Sequence, residues 1–252
     1  MKLLLVDGTN IVMRCAFGGS VAVDQSVDTA TRMIARATER LEATHLIVAF
    51  DSAAPSWRKE VAPEYKAHRT TETHVYSAAA VAACRRLGWY AIEHAGLEAD
   101  DIVATIAARV ACGVVILSGD SDLLACVDDR VLVARPQSGG KFELFDTNRV
   151  LMEYGVRPFQ LAEWKALVGE PGDNIAGVPG IGAKRATGLL QRHLYVGRLL
   201  MGVVPDDSKE AARVREHADA FARSLTLTTL LRASDLPTIP STACKIQRRA
   251  VA

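Results

Sequence analysis

The chain has 252 residues, of which 49% are hydrophobic and 23% are charged, a composition that excludes disordered, collagen-like and coiled-coil proteins. This length allows one large α/β domain, or a domain with a smaller appendage, with a core that needs no disulfide or metal to hold it. The formal net charge of +1 says nothing about partners, and no apolar run reaches the roughly 20 residues of a membrane span.

The first residues predict no export signal. The apolar run before Asp7 has only four residues, Leu3 to Val6, fewer than the apolar region of a signal peptide needs. The five cysteines are odd in number and show no Cys-x-x-Cys spacing, so neither a disulfide framework nor a thiolate zinc site is indicated. We therefore expect a cytoplasmic protein without membrane partners.

Short apolar runs alternate with helix-like stretches in the first part of the chain. Three runs predict buried parallel strands, at 3–6, 46–50 and 114–117. Helical stretches are predicted at 29–41 and 102–111, and further strands at 89–92 and 131–134. This alternation is typical of an α/β fold with a doubly wound, mostly parallel sheet.

After about residue 149 the pattern predicts helices only. Pro158 is placed to begin a helix that ends near Val168, and further helices are predicted at 183–193 and 208–231. We therefore expect two domains. The first is an α/β core over 1–150 that includes a basic region at 55–97, and the second is a helical domain over 151–252 with a glycine hairpin at 172–193.

An acidic residue lies at the end of each predicted buried strand. Asp7 follows the first strand, Asp51 the second and Asp120 the third, with Asp122 two residues further on. In an open α/β sheet the functional crevice lies beyond the carboxyl ends of the strands. We therefore expect these side chains to meet there.

A second acidic group, Glu98, Asp100 and Asp101, opens the helix predicted at 102–111. Acids in a first turn are ordinary partners of the helix dipole, which is the plain interpretation of this group alone. Added to the strand ends, it makes seven carboxylates, and each pair about 4 Å apart would repel by roughly 4 kcal/mol at an effective dielectric of 20. Bound divalent cations would relieve that repulsion.

Oxygen ligands without histidine or cysteine favour Mg²⁺ or Mn²⁺ over Zn²⁺. Two such ions about 4 Å apart serve phosphodiester chemistry, in which they activate water and hold the leaving oxygen. The chain has no Walker, Gly-x-Ser-x-Gly or His-Glu-x-x-His motif. A nucleotide-binding regulatory domain is the alternative, but the turn after Asp7 lacks the Gly-x-Gly-x-x-Gly fingerprint.

A basic segment lies between the second and third strands. It contains Arg58, Lys66 and Arg69, with Tyr65 among them. Cations interleaved with aromatic rings suit a groove that follows a nucleic-acid backbone. The alternative is an exposed charged loop, which the position directly after Asp51 makes less favourable.

A glycine-rich turn precedes the second helix of the C-terminal region. Gly177, Gly180 and Gly182 allow a tight turn, and Lys184 and Arg185 follow at once. This spacing matches the helix-hairpin-helix form of sequence-independent contact with duplex phosphates. A chance glycine-rich connector is the alternative.

Taken together, these segments resemble the 5′-nuclease superfamily, which comprises flap endonucleases and the 5′-nuclease domain of bacterial DNA polymerase I, here in a stand-alone form. The matching stretches run in the family's order over about residues 1–195: Leu4-Leu5-Val6-Asp7-Gly8, Phe50-Asp51, Pro63-Glu64-Tyr65-Lys66 with Arg69, Gly96-Leu97-Glu98-Ala99-Asp100-Asp101, Ser118-Gly119-Asp120-Ser121-Asp122, and Gly172-Asp173-Asn174. Six stretches in order are a specific signature.

The resemblance implies a role for each matching residue. Ligands grouped around one metal ion match Asp7, Asp51, Glu98 and Asp100, and those around a second match Asp120, Asp122 and Asp173, with Asp101 a supporting acid. Cations that engage the scissile phosphate match Lys66 and Arg69, with Tyr65 a stacking neighbour and Arg58 a further basic position. The hairpin from Gly177 to Gly182, with Lys184 and Arg185, resembles one that grips duplex phosphates, with K⁺ held by its backbone carbonyls.

The resemblance therefore implies a structure-specific 5′-nuclease, a flap endonuclease or 5′-3′ exonuclease, with two or more Mg²⁺ or Mn²⁺ ions. The implied partner of this monomeric, nucleoid-associated enzyme is DNA with a 5′ flap or a branched or gapped structure, its 5′ strand DNA or RNA. One departure is Glu170, a further candidate metal residue, which stands where the family commonly has Asp and reaches one methylene further. Two rival functions are a branched-DNA-binding protein with weakened or absent catalysis and a PIN-like ribonuclease.

Overall fold

The computed structural model of the chain describes residues 1–17, 22–67 and 72–246. The strands in these ranges are β1 (Lys2–Asp7), β2 (His45–Phe50), β3 (Tyr90–Glu93), β4 (Gly113–Leu117), β5 (Val131–Pro136) and β6 (Phe142–Phe145). The helices are α1 (Gly8–Phe17), α2 (Val23–Arg40), α3 (Trp57–Val61), α4 (Glu72–Arg86), α5 (Ala99–Arg109), α6 (Thr147–Tyr154), α7 (Leu161–Val168), α8 (Ala183–His193), α9 (Val196–Leu200), α10 (Lys209–Glu216) and α11 (Ala218–Thr228).

The chain divides into two compact units. Unit 1 takes its described residues from Met1–Ser56, Thr70–Asp146 and Leu231–Ala252, and unit 2 from Trp57–Arg69 and Thr147–Leu230. The sheet unit therefore includes a C-terminal segment that the sequence places in the helical domain. Conversely, the short basic segment that begins at Trp57 belongs to the helical unit rather than to the α/β core.

Unit 1 is built on one mixed sheet with the strand order β3-β2-β1-β4-β5-β6. The first five strands are parallel, and β6 pairs antiparallel with β5, so the predicted mostly parallel sheet is confirmed. The central strands are buried along nearly their whole length, as expected of parallel strands covered on both faces. Because β6 has only four residues and an exposed Leu144, no apolar run marks it in the sequence.

Helix α1 follows β1 without a connecting loop, and the sequence pattern does not predict it. The Asp7 carboxylate accepts the N–H of Asn10 at 3.0 Å, which is the hydrogen bond of a helix N-cap. Ile11, Val12 and Ala16 then turn into the core of the sheet unit. An acid noted for metal binding therefore also starts a helix.

Unit 2 is helical, as predicted after residue 149. Pro158 begins a short 3-10 turn, and α7 follows it and ends at Val168. The single helix predicted over 208–231 is two helices, α10 and α11, which meet at His217 with φ −110° and ψ 30°. Among the described residues, none of the helices combines the length and apolar character that a membrane span requires.

Candidate metal centre and nucleic-acid interface

The register of the sheet brings three strand ends together. Asp7 is the last residue of β1, Asp51 directly follows β2, and Ser118 directly follows β4, with Asp120 two residues beyond it. β1 lies between β2 and β4, pairing with both in parallel register up to these ends. The three strands therefore deliver their acids to one edge of the sheet in unit 1.

Asp7 is the most buried of the strand-end acids, with a relative exposure of 4%. The pKa of Asp7 is raised from 3.8 to about 7, first by burial and then by the negative charges of Asp120 and Asp51, although hydrogen bonds from Asn10 and Ser118 lower it. Both of these acids follow strands that end at the same edge of the sheet as β1. Without a bound cation, the Asp7 carboxyl therefore gains or loses its proton near neutral pH.

Asp51 and Asp120 are oriented by backbone hydrogen bonds. Asp51 Oδ1 accepts the N–H of Ala99 at 2.7 Å, which links the end of β2 to the first turn of α5. Asp120 Oδ1 accepts the N–H of Asp122 at 2.9 Å and closes the turn after β4. These contacts fix where the carboxylates point and place the positive end of α5 next to Asp51.

The acids that open α5 divide into two roles. Glu98 and Asp100 are buried, and the charges of Asp100 and Asp122 both raise the pKa of the Cys126 thiol, to about 12, although burial of the thiol is the larger cause. Asp100 and Asp122 therefore flank the same thiol. Asp101 differs, because its fully buried Oδ1 accepts the N–H of Leu231 at 2.8 Å. Asp101 therefore has a structural role in holding the backbone of Leu231, beside the supporting role expected from the sequence.

Hydroxyl and amide side chains that the sequence analysis did not single out hold this group in place. The Ser118 hydroxyl donates to Asp7 Oδ2 at 2.9 Å and accepts the N–H of Asp120 at 3.0 Å. The Thr9 hydroxyl accepts the N–H of Asp51 at 2.9 Å, and Asn10 Oδ1 accepts the N–H of Gly119 at 2.8 Å. Their only signal in the sequence is that each lies within three residues of a strand end.

The donor set of unit 1 suits a hard divalent cation. It consists of carboxylate oxygens, and clustered carboxylates that raise one another's pKa gain stability when a cation neutralises them. The chemistry of these residues therefore fits the Mg²⁺ or Mn²⁺ that the sequence predicts.

The remaining two candidate ligands lie in unit 2. One carboxylate oxygen of Glu170 and one of Asp173 lie within 4.8 Å of each other. Lys165 Nζ lies 2.8 Å from Glu170 Oε1, and Lys66 Nζ lies 3.8 Å from Asp173 Oδ2. Lysines therefore balance both charges, and Lys165, whose side chain is only 4% exposed, is a partner that the sequence analysis did not name.

Two residues expected to contact DNA are instead buried. Arg58 is 2% exposed, and its guanidinium donates to the carbonyls of Leu227 at 2.9 Å and Thr229 at 3.4 Å. The Tyr65 ring is 3% exposed and packs with Leu227 and Ile175 in the core of unit 2. The expectation of a stacking platform at Tyr65 and a surface cation at Arg58 is therefore corrected, because both side chains serve to fasten the basic segment to the helices.

Lys66 is held in a left-handed backbone conformation with φ +50°. Its N–H donates to the carbonyl of Asp173 at 3.2 Å, and its ammonium lies 4.8 Å from the centroid of the Tyr65 ring. Lys66 is therefore tied to the loop that carries Asp173. Arg69, the second predicted cation of this segment, lies outside the described residues.

The glycine hairpin lies between α7 and α8. Gly177 packs so closely on α7 that an added Cβ would lie 2.3 Å from the carbonyl oxygen of Val168, and Gly180 has φ +75°. Gly182 is the N-cap residue of α8 and has no side chain to cap the first turn. Lys184 and Arg185 are exposed on that turn, as expected for residues that face a phosphate.

The hairpin carbonyls expected to hold K⁺ accept hydrogen bonds from arginines. Arg185 Nη1 donates to the carbonyl of Gly180 at 2.6 Å, and Arg213 Nη1 donates to that of Pro179 at 3.4 Å. Arg213, which lies on α10, did not enter the sequence prediction. Positively charged donors at these oxygens do not fit a monovalent cation bound there.

Comparison with known families matches both parts of the chain. The 5′-3′ exonuclease N-terminal, resolvase-like domain matches residues 2–155. The 5′-3′ exonuclease C-terminal SAM fold matches residues 156–250.

Curated relatives include both separate exonucleases and polymerases. The 5′-3′ exonuclease of Bacillus subtilis is 33% identical over 215 residues, which cover 79% of this chain and 73% of the relative. DNA polymerase I of Mycobacterium tuberculosis is 28% identical over 256 residues, which cover 95% of this chain but only 28% of the polymerase. The chain therefore spans about a quarter of the length of such polymerases.

Solved structures share the fold. The 5′-exonuclease of bacteriophage T5 with bound zinc superposes with a TM-score of 0.76 at 26% identity, over 90% of this chain and 89% of that one. A flap endonuclease of the same phage, in a complex with DNA and metal ions, gives a TM-score of 0.76 at 25% identity, over 91% and 89%. Human GEN1 bound to Holliday junction DNA shares the fold alone, with a TM-score of 0.63 at 14% identity over 95% and 63%.

Proposed function

Because this chain belongs to the 5′-3′ exonuclease family, we propose that it is a structure-specific 5′-nuclease that uses divalent metal ions. Its reaction is hydrolysis of phosphodiester bonds near the 5′ ends of branched DNA, as a flap endonuclease or 5′-3′ exonuclease. The observation that carries this proposal is the strand register that brings Asp7, Asp51 and Asp120 to one edge of the sheet, where the Ser118 hydroxyl bonds to both Asp7 and the Asp120 N–H. Neighbouring acids that repel one another are typical of a site that binds cations.

The residues that would hold metal ions are carboxylates, and each unit contributes candidates of its own. In unit 1 they are Asp7, Asp51, Glu98, Asp100, Asp120 and Asp122, and in unit 2 they are Glu170 and Asp173. A bound Mg²⁺ or Mn²⁺ supplies Lewis-acid chemistry, activating water and neutralising charge at the phosphate. Asp101 is the supporting acid, and its carboxylate accepts the N–H of Leu231.

The chain's own residues supply orientation and charge. Ser118 and Asn10 hold Asp7 by both carboxylate oxygens, so it offers oxygen ligands in a fixed direction. Lys66 and Arg69 offset negative charge on the scissile phosphate. The glycine hairpin with Lys184 and Arg185 grips the duplex backbone without reading bases.

A cleavage assay on a 5′-labelled DNA flap tests this function. The full chain should release the flap with Mg²⁺ or Mn²⁺ and not with EDTA. Asp120→Asn should abolish cleavage while flap binding stays within about threefold, because the change removes a ligand charge and not the duplex grip. Asp129→Asn is the matched control and should cleave normally, because Asp129 is an exposed acid that, like Asp120, lies between β4 and β5.

Three results would contradict the proposal. They are cleavage that persists in EDTA, normal cleavage by Asp120→Asn, and loss of flap binding by a correctly folded Asp120→Asn. A wild-type chain that binds flaps but releases no product with either metal would instead favour a non-cleaving DNA-binding protein.

The proposal extends to the substrate strand and the state of the protein. We propose that the 5′ strand is DNA or RNA, that the chain acts as a monomer and that it works in the cytoplasm at the nucleoid. Matched DNA and RNA flaps on one duplex would measure the strand preference. Cleavage confined to RNA flaps would favour a PIN-like ribonuclease. Analytical ultracentrifugation would measure the oligomeric state of the chain.

A further inference from the structure

The glycine hairpin is contacted by guanidinium groups from two separate helices of unit 2. Arg185 lies in the first turn of α8 and donates to the carbonyl of Gly180 at 2.6 Å. Arg213 lies on α10 and reaches the carbonyl of Pro179 from 34 residues further along the chain, at 3.4 Å. Glu210, also on α10, lies 3.3 Å from Arg185 Nε, so α10 positions both arginines at the turn.

These arginines still face solvent. The Arg185 side chain is 54% exposed, and Arg213, Pro179 and Gly180 are all exposed. Each guanidinium has five N–H donors, so a bond to one carbonyl does not use them all. The planar arrangement of those donors matches a phosphate group. The hairpin therefore presents two oriented positive charges next to the uncapped first turn of α8.

Five carbonyls of the hairpin accept hydrogen bonds. In addition to the arginine contacts, Ala176 O accepts the Ser224 hydroxyl, Val178 O accepts the Ile181 N–H, and Gly182 O accepts the N–H groups of Arg185 and Ala186. A monovalent cation needs several of these oxygens at once. It would also lie against two guanidinium groups, which repel it.

We propose that Arg185 and Arg213 take the place of a monovalent cation in this hairpin, so its grip on duplex phosphates does not require K⁺. Arg213 is thereby a phosphate-binding and positioning residue of the hairpin. This inference rests on the proposed function, because it presupposes that the hairpin holds a DNA duplex. It goes beyond that function by stating which charges do the holding.

The test measures binding of a fluorescent DNA duplex to the full chain by anisotropy, with Ca²⁺ in place of Mg²⁺. Titrations in KCl, NaCl and tetramethylammonium chloride at one ionic strength separate a specific K⁺ requirement from general screening. We expect dissociation constants within about twofold of one another in the three salts. Arg213→Ala should weaken binding about fivefold or more in every salt, because it removes a phosphate contact.

Arg215→Ala is the matched control. Arg215 is also exposed on α10 and its loss changes the net charge equally, but its Nη1 donates to the carbonyl of Asp206 and not to the hairpin. Its affinity for the duplex should stay within about twofold of the wild type. Circular dichroism on both variants establishes that they are folded.

Two outcomes would overturn the inference while leaving the proposed function in place. One is wild-type binding that tightens about fivefold or more in KCl relative to both other salts. The other is an Arg213→Ala variant that binds as well as Arg215→Ala. If the wild type bound no duplex in any salt, the DNA-binding function itself would fail, and the inference with it.

Discussion

Ser118 and Asp7 are joined by a hydrogen bond in which the serine hydroxyl donates to Asp7 Oδ2 over 2.9 Å. The same hydroxyl accepts the N–H of Asp120, so one side chain ties the ends of β1 and β4 together. Ser118→Ala removes this link and no carboxylate. We expect the affinity for Mn²⁺ to fall roughly tenfold to 100-fold, as measured by calorimetric titration without DNA, because the ligand is no longer oriented.

Ser138→Ala controls for the loss of a hydroxyl, since Ser138 is exposed between β5 and β6. It should titrate like the wild type. An unchanged Mn²⁺ affinity in Ser118→Ala would show that the hydrogen bond to Asp7 does not contribute to metal binding.

The raised pKa of Asp7 predicts a pH-dependent stability in the absence of metal. Burial, with the charges of Asp120 and Asp51, raises this pKa from 3.8 to about 7. Between these values the folded protein keeps a proton that the unfolded chain has released. This stabilisation is complete below about pH 4 and is lost as the pH rises through about 7, and the total loss is roughly 4 kcal/mol.

Urea unfolding in EDTA at a series of pH values measures this effect. The free energy of unfolding of the wild type should fall across the window, and that of Asp7→Asn should lack this component, because an amide does not titrate. Added Mg²⁺ should restore stability at neutral pH by binding the folded state. Parallel pH profiles for the two proteins in EDTA would contradict the shifted pKa.

Arg58 predicts a loss of stability rather than a loss of DNA contact. Arg58→Met keeps much of the aliphatic length but leaves the carbonyls of Leu227 and Thr229 without their charged donor. We expect a destabilisation of about 3 kcal/mol, because buried polar groups lose their partner. Thermal or urea unfolding measures it.

Lys59→Met is the matched control for Arg58→Met, since Lys59 is the exposed neighbour on α3. It should change stability by less than about 0.5 kcal/mol. If Arg58→Met kept wild-type stability and bound DNA weakly, the buried arginine would have to be assigned to the DNA interface after all.

We expect substitutions at Gly180 and Arg213 to have coupled effects on duplex binding. A Cβ added at Gly180 would lie 1.5 Å from Arg213 Nη1, and its φ of +75° costs another residue about 1–2 kcal/mol. Gly180→Ala should therefore displace the guanidinium and weaken duplex binding about as much as Arg213→Ala does. In a double-mutant cycle, the combined variant should bind no more weakly than either single variant, whereas additive losses would show that the two act separately.

The sequence predicts the strand-end acids well because the physics there is local. A buried apolar run fixes where a strand ends, and a parallel sheet carries those ends to one edge, so Asp7, Asp51 and Asp120 follow from pattern alone. The same argument does not reach Ser118 or Thr9, whose hydroxyls become relevant only when neighbouring strands are in register.

The basic segment shows where local reasoning fails. A charged side chain is normally exposed, so the sequence predicts that Arg58 is a surface cation. In the fold, Arg58 donates to the carbonyl of Leu227, which lies 169 residues away in the chain. Tyr65 is buried for the same long-range reason, through packing against Leu227 and Ile175. The break between α10 and α11 is equally hidden, because neither glycine nor proline marks His217.

Unit 1 contains pieces from both ends of the described chain, and this affects how a nascent polypeptide matures. Asp101 can accept the N–H of Leu231 only after 130 more residues have been synthesised. Arg109 likewise donates to the later carbonyls of Ala233 and Leu236. Once the chain has emerged from the ribosome as far as Leu230, every residue of unit 2 is outside, whereas unit 1 still lacks its last segment. During synthesis the helical unit therefore has all of its residues before the acid-bearing sheet unit does.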